Sequence, residues 1–305
     1  MCYAPVMTYR YIDLHIHSQY SEDGDYSVDH IFQMAKTIGL SAISITDHDA
    51  IDAIPEGIVC SEKYNIEFIP GIELTTIYED GSQQHILGYF INNAPVLNAI
   101  VKKIGNYRHE IAKKRIQKLR DIGFVMNEKN VWRKANNRPP TATAIMLEVF
   151  ENPHNRNDKR LEEYFNGKKS DNKLMYFYRE YLAEHMPAYV PFISISTHEG
   201  IEVVKATGGV PVLAHPKFVK GEEHLKKIAV MGIAGIEAIS SYHTKEDIDY
   251  FIRFAADHNL IITAGSDFHG PTSKPKVTLG GIQGNDYRLL DELKKYRERS
   301  KTVIQ

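Results

Sequence analysis

Apolar positions in the first third of the chain switch repeatedly between a period of two and a period near 3.6. Tyr11–His15 reads as a strand that ends in His-Ile-His. In Val28–Ile38, the residues Val28, Ile31, Ala35 and Ile38 fall on one side of a helix, and Gly39 suits its end. Leu40–Thr46 predicts a second strand and Ile51–Tyr64 a second helix. Ile66–Glu73 predicts a third strand, interrupted at Pro70-Gly71, and Gln84–Ile91 a fourth. Strands alternating with helices predict a parallel α/β sheet or barrel.

The middle of the chain changes character. From about Pro95 to about Tyr189 strand signal is almost absent. Ile100, Ile104, Tyr107, Ile111 and Leu119 have mostly helical spacing, and Thr141–Phe150 and Met175–Glu184 also read as helices. Glu151–Asn172, between them, is polar and irregular. The last third resumes the alternation: helix Glu199–Thr207, strand Val210–Ala214, helix Glu222–Val230, strand Gly235–Ile239, helix Lys245–His258 and strand Leu260–Ala264. The count, about seven strand–helix units, falls short of the eight of a full TIM barrel. Asp291–Gln305 predicts a charged terminal helix.

Composition narrows the function. The chain has 305 residues, 37 Lys plus Arg and 39 Asp plus Glu, for a formal charge of −2. That balance argues against binding long nucleic acid by bulk charge. An apolar fraction of 43% suits a globular chain. Two cysteines, Cys2 and Cys60, supply neither a disulfide framework nor a thiolate zinc site. Residues 1–10 lack the apolar core of a secretion signal, and no apolar run is long enough to span a membrane, so the expectation is a cytoplasmic enzyme. The basic run Lys102–Arg120 reads as a solvated helix face, or as a guide for an oligonucleotide.

The chain has 14 histidines, and their positions carry the chemistry. His15 and His17 end the first strand, and His48 follows the second. Glu73 ends the third strand and His85 opens the fourth. His215 follows the strand Val210–Ala214, and Asp267 and His269 follow the last strand. Strand ends in an α/β barrel form one face, so these side chains are expected to converge there. His-x-His on an extended segment points both imidazoles to one side, and Asp267-x-His269 repeats the geometry with an oxygen and a nitrogen. Such donors suit Zn²⁺, Mn²⁺ or Fe²⁺. A lone histidine at a strand end is commonly a solvated residue; the recurrence over several strand ends is the signal. Asp13 and Asp47 read as groups that orient a ligand imidazole, or for Asp13 as a turn cap.

These segments together resemble the PHP (polymerase and histidinol phosphatase) domain family. The resemblance is carried by Asp13-Leu14-His15-Ile16-His17-Ser18, Ser21-Glu22-Asp23-Gly24, Ile45-Thr46-Asp47-His48-Asp49 and Pro70-Gly71-Ile72-Glu73. It continues through His85-Ile86-Leu87-Gly88, Leu213-Ala214-His215-Pro216 and Gly265-Ser266-Asp267-Phe268-His269. It implies an α/β fold, a distorted (β/α)7 TIM-like barrel, formed by residues 1–94 and 190–285. Residues 95–189 would be a helical insertion covering the substrate, and 286–305 a C-terminal tail. It also implies two or three divalent ions, Mn, Fe or Zn. The first would take His15, His17, Glu73 and Asp267; the second would share Glu73 and take His85 and His215; the third would take Asp23, His48 and His269. At the loop position, Glu22 and Asp25 are alternatives to Asp23.

The layout is similar to the stand-alone phosphoesterase branch, which acts on nucleotides such as nucleoside 3′,5′-bisphosphates or trims short RNA from its 5′ end. The branch pattern Arg-Pro-His-x-Ala appears here as Arg138-Pro139-Pro140-Thr141-Ala142, with Pro140 in place of the histidine. The implied reaction is hydrolysis of a phosphomonoester of a small nucleotide by a hydroxide bridging the metals, with Glu73 and Asp267 around it and His243 donating a proton. Arg138, Lys217 and His243 are candidate substrate contacts. Alternatives are a 5′→3′ exoribonuclease or phosphodiesterase, a histidinol-phosphate-type phosphatase, and a metal-bound regulatory module without catalysis. An amidohydrolase fits less well, because Glu73 occupies the bridging position in place of a lysine. The expected partner is a small phosphorylated substrate, or short RNA, with no membrane and no obligate protein partner.

Overall fold

The computed structural model describes residues 10–92, 94–135 and 138–303. Cys2 lies outside them. The chain divides into two units, residues 10–101 with 195–303, and residues 102–194.

The first unit begins with β1 (Tyr11–Ile16), α1 (Val28–Ile38), β2 (Leu40–Ile45), α2 (Ala53–Tyr64), β3 (Glu67–Ile77) and β4 (Gln83–Tyr89). Local chemistry sets the boundaries. The Ser27 hydroxyl accepts from the His30 N–H to start α1, and Gly39, at φ 80°, ends it in the left-handed conformation. The strand interruption expected at Pro70-Gly71 is absent: β3 runs through both residues. At this point β3 changes partner, pairing parallel with β2 up to Pro70 and antiparallel with β4 from Gly71. The missing proline N–H therefore falls where one ladder hands over to the other.

The expectation of an all-parallel sheet is also corrected. β4 runs antiparallel to both its neighbours, β3 and the later strand Val210–Leu213. A hairpin in place of a crossover helix joins β3 to β4, so the start of β4 lies beside the end of β3. His85 therefore reaches the same mouth as Glu73, although one opens its strand and the other lies far along β3.

A long helix, α3 (Pro95–Asp121), leads into the second unit. That unit continues with α4 (Glu128–Lys134), α5 (Ala142–Glu151), α6 (Glu162–Phe165) and α7 (Lys173–Phe177). Its core is rich in aromatics: Phe124, Phe150, Tyr164 and Phe177 pack with Leu119, Ile145, Leu161 and Leu182. The stretch 151–172, polar in sequence, still buries Leu161 and Tyr164 almost completely.

The first unit resumes with β5 (Ile195–Ser196), α8 (Thr197–Ala206), β6 (Val210–Leu213), α9 (Glu222–Ala229), β7 (Gly235–Ser240), α10 (Lys245–Asp257), β8 (Ile261–Gly265) and α11 (Arg288–Val303). The sheet order is β1-β2-β3-β4-β6-β7-β8, with the short β5 on the extension of β3. β8 returns to β1 through a bridge between Ile16 and Phe268, and the Asp267 N–H donates to the His15 carbonyl at 2.8 Å. The result is a nearly closed barrel.

The terminal helix is more than a charged tail. Tyr287, Leu290 and Leu293 pack into the barrel cluster with Ile12, Leu87, Tyr89, Val210 and Val212. The preceding segment is stitched to β1, where the Ile12 N–H donates to Asn285 and the Asn285 amide returns to the Ile12 carbonyl. No described helix is long and apolar enough to cross a membrane.

Candidate metal centre

Glu73 is the hub of the barrel mouth. Its side chain is fully buried, and its two oxygens face different sets of imidazoles. Oε2 lies 3.0 Å from His17 Nε2, 3.1 Å from His15 Nε2 and 3.2 Å from His48 Nδ1. Oε1 lies 2.9 Å from His85 Nδ1 and 3.2 Å from His215 Nε2. Asp267 Oδ1 lies 3.3 Å from His15 Nε2, 3.2 Å from His17 Nε2 and 3.4 Å from His269 Nδ1. Asp23 Oδ2 is 3.1 Å from His269 Nε2 and 3.9 Å from His48 Nε2. Of the three acids in that loop, Asp23 faces the cluster. Asp25 instead accepts the Thr272 N–H at 2.8 Å, and Glu22 is exposed.

All nine nominated donors are thus drawn into one cluster. Three groups of them hold their donor atoms within 4.8 Å of one another: His15, His17, Glu73 and Asp267; His17, Asp23, His48 and His269; and His48, Glu73 and His85. The packing fits cations. His15 Nε2 and His17 Nε2 face each other at 3.1 Å in a fully buried site. His48 Nδ1, His269 Nε2 and Asp267 Oδ1 are buried without an aligned hydrogen bond, although each has donor or acceptor atoms close by. Buried polar atoms are normally satisfied, so donors turned into a shared space are the arrangement a metal satisfies.

The electrostatics agree. Burial raises the cost of charge on Glu73, yet His48, His15 and His85 hold its carboxyl well below the usual range. Burial opposes charge on His17, but the Asp267 and Glu73 carboxylates outweigh it and lift the imidazole to about 9. His15 is likewise raised, against burial, by Glu73, Glu237 and Asp267. In the absence of metal, protons take up part of the positive charge that the carboxylates demand.

The backbone is bent to serve the site. His215 has φ 28° and Asp267 φ 57°, both in the left-handed region that side chains avoid. Gly265 must lack a side chain, because a Cβ there would lie 2.2 Å from His15 Cβ and 2.6 Å from Glu237 Oε1.

Sequence reasoning missed three residues of this site. Glu237, fully buried on β7, accepts from His15 Nδ1 at 2.8 Å through Oε1 and from the His215 N–H at 2.9 Å through Oε2. The available signal was an acid inside the otherwise apolar run Gly-Ile-Glu-Ala-Ile. The Tyr242 hydroxyl donates to Asp267 Oδ2 at 2.6 Å, and Lys274 Nζ contacts the same oxygen.

His243 and Lys217 make their contacts outside the Glu73 hub. His243 donates its Nδ1–H to the Ala238 carbonyl at 2.9 Å, and its ring rests on Phe251 of α10. Its Nε2 is buried without a hydrogen-bond partner. Lys217 is ion-paired to Asp247 at 2.5 Å and donates to the Tyr242 carbonyl, so it ties two loops together. Arg138 belongs to the helical unit, and its nomination rests on the motif alone. Asp13 and Asp47 touch no imidazole through their carboxylates. Asp13 accepts from the Ser266 N–H and hydroxyl and the Gly280 N–H; Asp47 accepts from the Ser18 N–H and hydroxyl.

The PHP domain model matches residues 13–130, the stretch that holds His15, His17, Asp23, His48, Glu73 and His85. Over that stretch the chain is similar to a PHP domain. Curated relatives of similar length are named for phosphoester chemistry. A 3′,5′-nucleoside bisphosphate phosphatase from Chromobacterium violaceum is 27% identical over 85% of this chain and 87% of its own. A 5′-3′ exoribonuclease from Haemophilus influenzae is 27% identical over 87% of this chain and 92% of its own. A phosphoribosyl 1,2-cyclic phosphate 1,2-diphosphodiesterase from Eggerthella lenta is 24% identical over 85% and 94%. The fold is shared with a Bifidobacterium adolescentis protein assigned to the metal-dependent phosphoesterases, at TM-score 0.73 and 22% identity over 94% of this chain and 96% of that one. A Chromobacterium violaceum structure described as an amidohydrolase, with sulfate and no metal, has TM-score 0.74 and 24% identity over 93% and 96%. The activities named for these curated relatives are all hydrolyses of phosphoester bonds.

Proposed function

We propose that this protein removes a phosphate from a small nucleotide, such as a nucleoside 3′,5′-bisphosphate. The observation that carries the reading is the division of labour on Glu73. A carboxylate with His15, His17 and His48 around one oxygen and His85 and His215 around the other is suited to serve two cations at once. His15, His17, Glu73 and Asp267 would hold the first ion; Glu73, His85 and His215 the second; Asp23, His48 and His269 the third. The N/O donor set favours Mn, Fe or Zn. Divalent ions held there would supply a low-pKa water and neutralise phosphoryl oxygens.

The chain's own groups fix that chemistry in place. Glu237 sets the tautomer of His15 by accepting a hydrogen bond from Nδ1–H, which would leave the Nε2 lone pair for a cation beside Glu73. Tyr242 and Lys274 hold the outer oxygen of Asp267, so Oδ1 turns inward. The strained backbone at His215 and Asp267 aims both side chains down into the barrel mouth. A nucleotide is favoured as substrate by the named activities of two relatives, a bisphosphate phosphatase and an exoribonuclease.

The test is phosphate release from a nucleoside 3′,5′-bisphosphate beside nucleotide release from a short 5′-phosphorylated RNA, with metal content measured on the same sample. Phosphate release from the bisphosphate supports the reading. Cleavage of the RNA alone would replace it with the exoribonuclease alternative, and hydrolysis of neither would refute both.

A further inference from the structure

An exposed aromatic stands at the edge of the metal centre. Phe218 is 56% exposed, although a benzyl side chain loses by contact with water. It ends the 3-10 turn Pro216–Phe218 that directly follows His215. Pro216 restricts the turn, and the Phe218 N–H donates to the His215 carbonyl at 3.1 Å. Lys217, between them, is anchored to Asp247 and to the Tyr242 carbonyl. The ring is thus held on a stiff support. Its centroid lies 5.2 Å from that of His215 and 5.0 Å from that of Tyr242, both edge-on. Those edge contacts come from rings that themselves reach the cluster, His215 through Glu73 and Tyr242 through Asp267.

We propose that Phe218 is the platform on which the base of the nucleotide stacks while its phosphate sits at the metal centre. The inference rests on the nucleotide reading above and names its specificity residue. An exposed, pre-ordered ring one side chain away from the reacting centre matches the flat face of a base carried on the leaving alcohol; a sugar phosphate or amino alcohol phosphate has no such face to offer it. Base–aromatic stacking tolerates different bases, so the platform selects for a base without selecting which one.

The experiment compares wild type, Phe218→Ala and Phe218→Trp on adenosine 3′,5′-bisphosphate and on ribose 5-phosphate. Binding of adenosine 5′-monophosphate is measured by calorimetry on the same proteins. Stacking is worth about 5- to 150-fold per base, so Phe218→Ala should lose that factor in kcat/KM for the bisphosphate, mainly through KM. It should lose the same factor in nucleotide affinity and leave ribose 5-phosphate hydrolysis unchanged, and Phe218→Trp should retain both. Equal losses on the two substrates would make Phe218 a mere support for His215 and overturn the platform. No loss on either would also overturn it. Wild-type enzyme that hydrolyses ribose 5-phosphate but no nucleotide would instead refute the functional reading, and the platform with it.

Discussion

Glu237 offers a sharp test of how the centre is tuned. Its carboxylate accepts two hydrogen bonds, from His15 Nδ1–H at 2.8 Å and from the His215 N–H at 2.9 Å, in a site closed to solvent. Glu237→Gln keeps the volume and removes one acceptor. If the amide oxygen stays on the His215 N–H, the NH₂ meets His15 Nδ1. His15 must then move its proton to Nε2, the atom that lies 3.1 Å from Glu73 and would bind metal. If the oxygen turns to His15, the NH₂ meets a backbone N–H, and two donors collide. Either arrangement costs ligand quality at the first metal position. Outer carboxylates of this kind are worth about 10- to 100-fold in metal affinity, or about 1.4–2.7 kcal/mol. The assay is competition for Mn²⁺ or Zn²⁺ against a chelator, with circular dichroism as a check on folding. A folded Gln variant that holds metal as tightly as wild type would refute the tautomer argument.

Further predictions follow from other parts of the site. Asp13→Ala leaves the buried N–H and hydroxyl of Ser266 without their acceptor, at about 1–3 kcal/mol for each group, and should lower the melting temperature measurably. An unchanged melting curve would show that these bonds are dispensable. Gly265→Ala drives a Cβ to 2.2 Å from His15 Cβ, so the variant should lose metal and activity together; retention of both would contradict the close approach. The Asp267 and Glu73 carboxylates lift His17 to about 9 in the metal-free protein, so metal binding at neutral pH should displace a proton from it. Metal affinity should therefore rise with pH up to about 9, by about tenfold per unit for each proton released. Calorimetry in buffers of different ionisation enthalpy counts those protons, and a count of zero at pH 7.5 would contradict the assignment.

Much of the site was legible because its residues repeat a local pattern. His15 and His17, or Asp267 and His269, announce a shared direction by their spacing alone, and the strand ends announce a shared face. The remainder depends on contacts that no local pattern carries. The reversal of β4 is set by a hairpin, so His85 opens its strand instead of closing it. Glu237 lies in a run whose other residues are apolar, and its value appears only once β7 is laid beside β1. Tyr242 and Lys274 reach Asp267 from two separate loops. The tail was hidden for the opposite reason: its surface is charged, while Leu290 and Leu293 are buried against the barrel. His243 and Lys217 were nominated for following a strand or a ligand, and the structure turns one to Phe251 and the other to Asp247.

The central claim is that Glu73 joins separate cation positions in one hydrolytic centre. It is tested most directly by Glu73→Gln, with bound metal counted per chain and phosphoester hydrolysis measured on the same preparation. The account predicts a folded protein that loses more than one metal equivalent and its hydrolytic activity together. A variant that keeps its full metal complement and hydrolyses phosphoesters at the wild-type rate would contradict it.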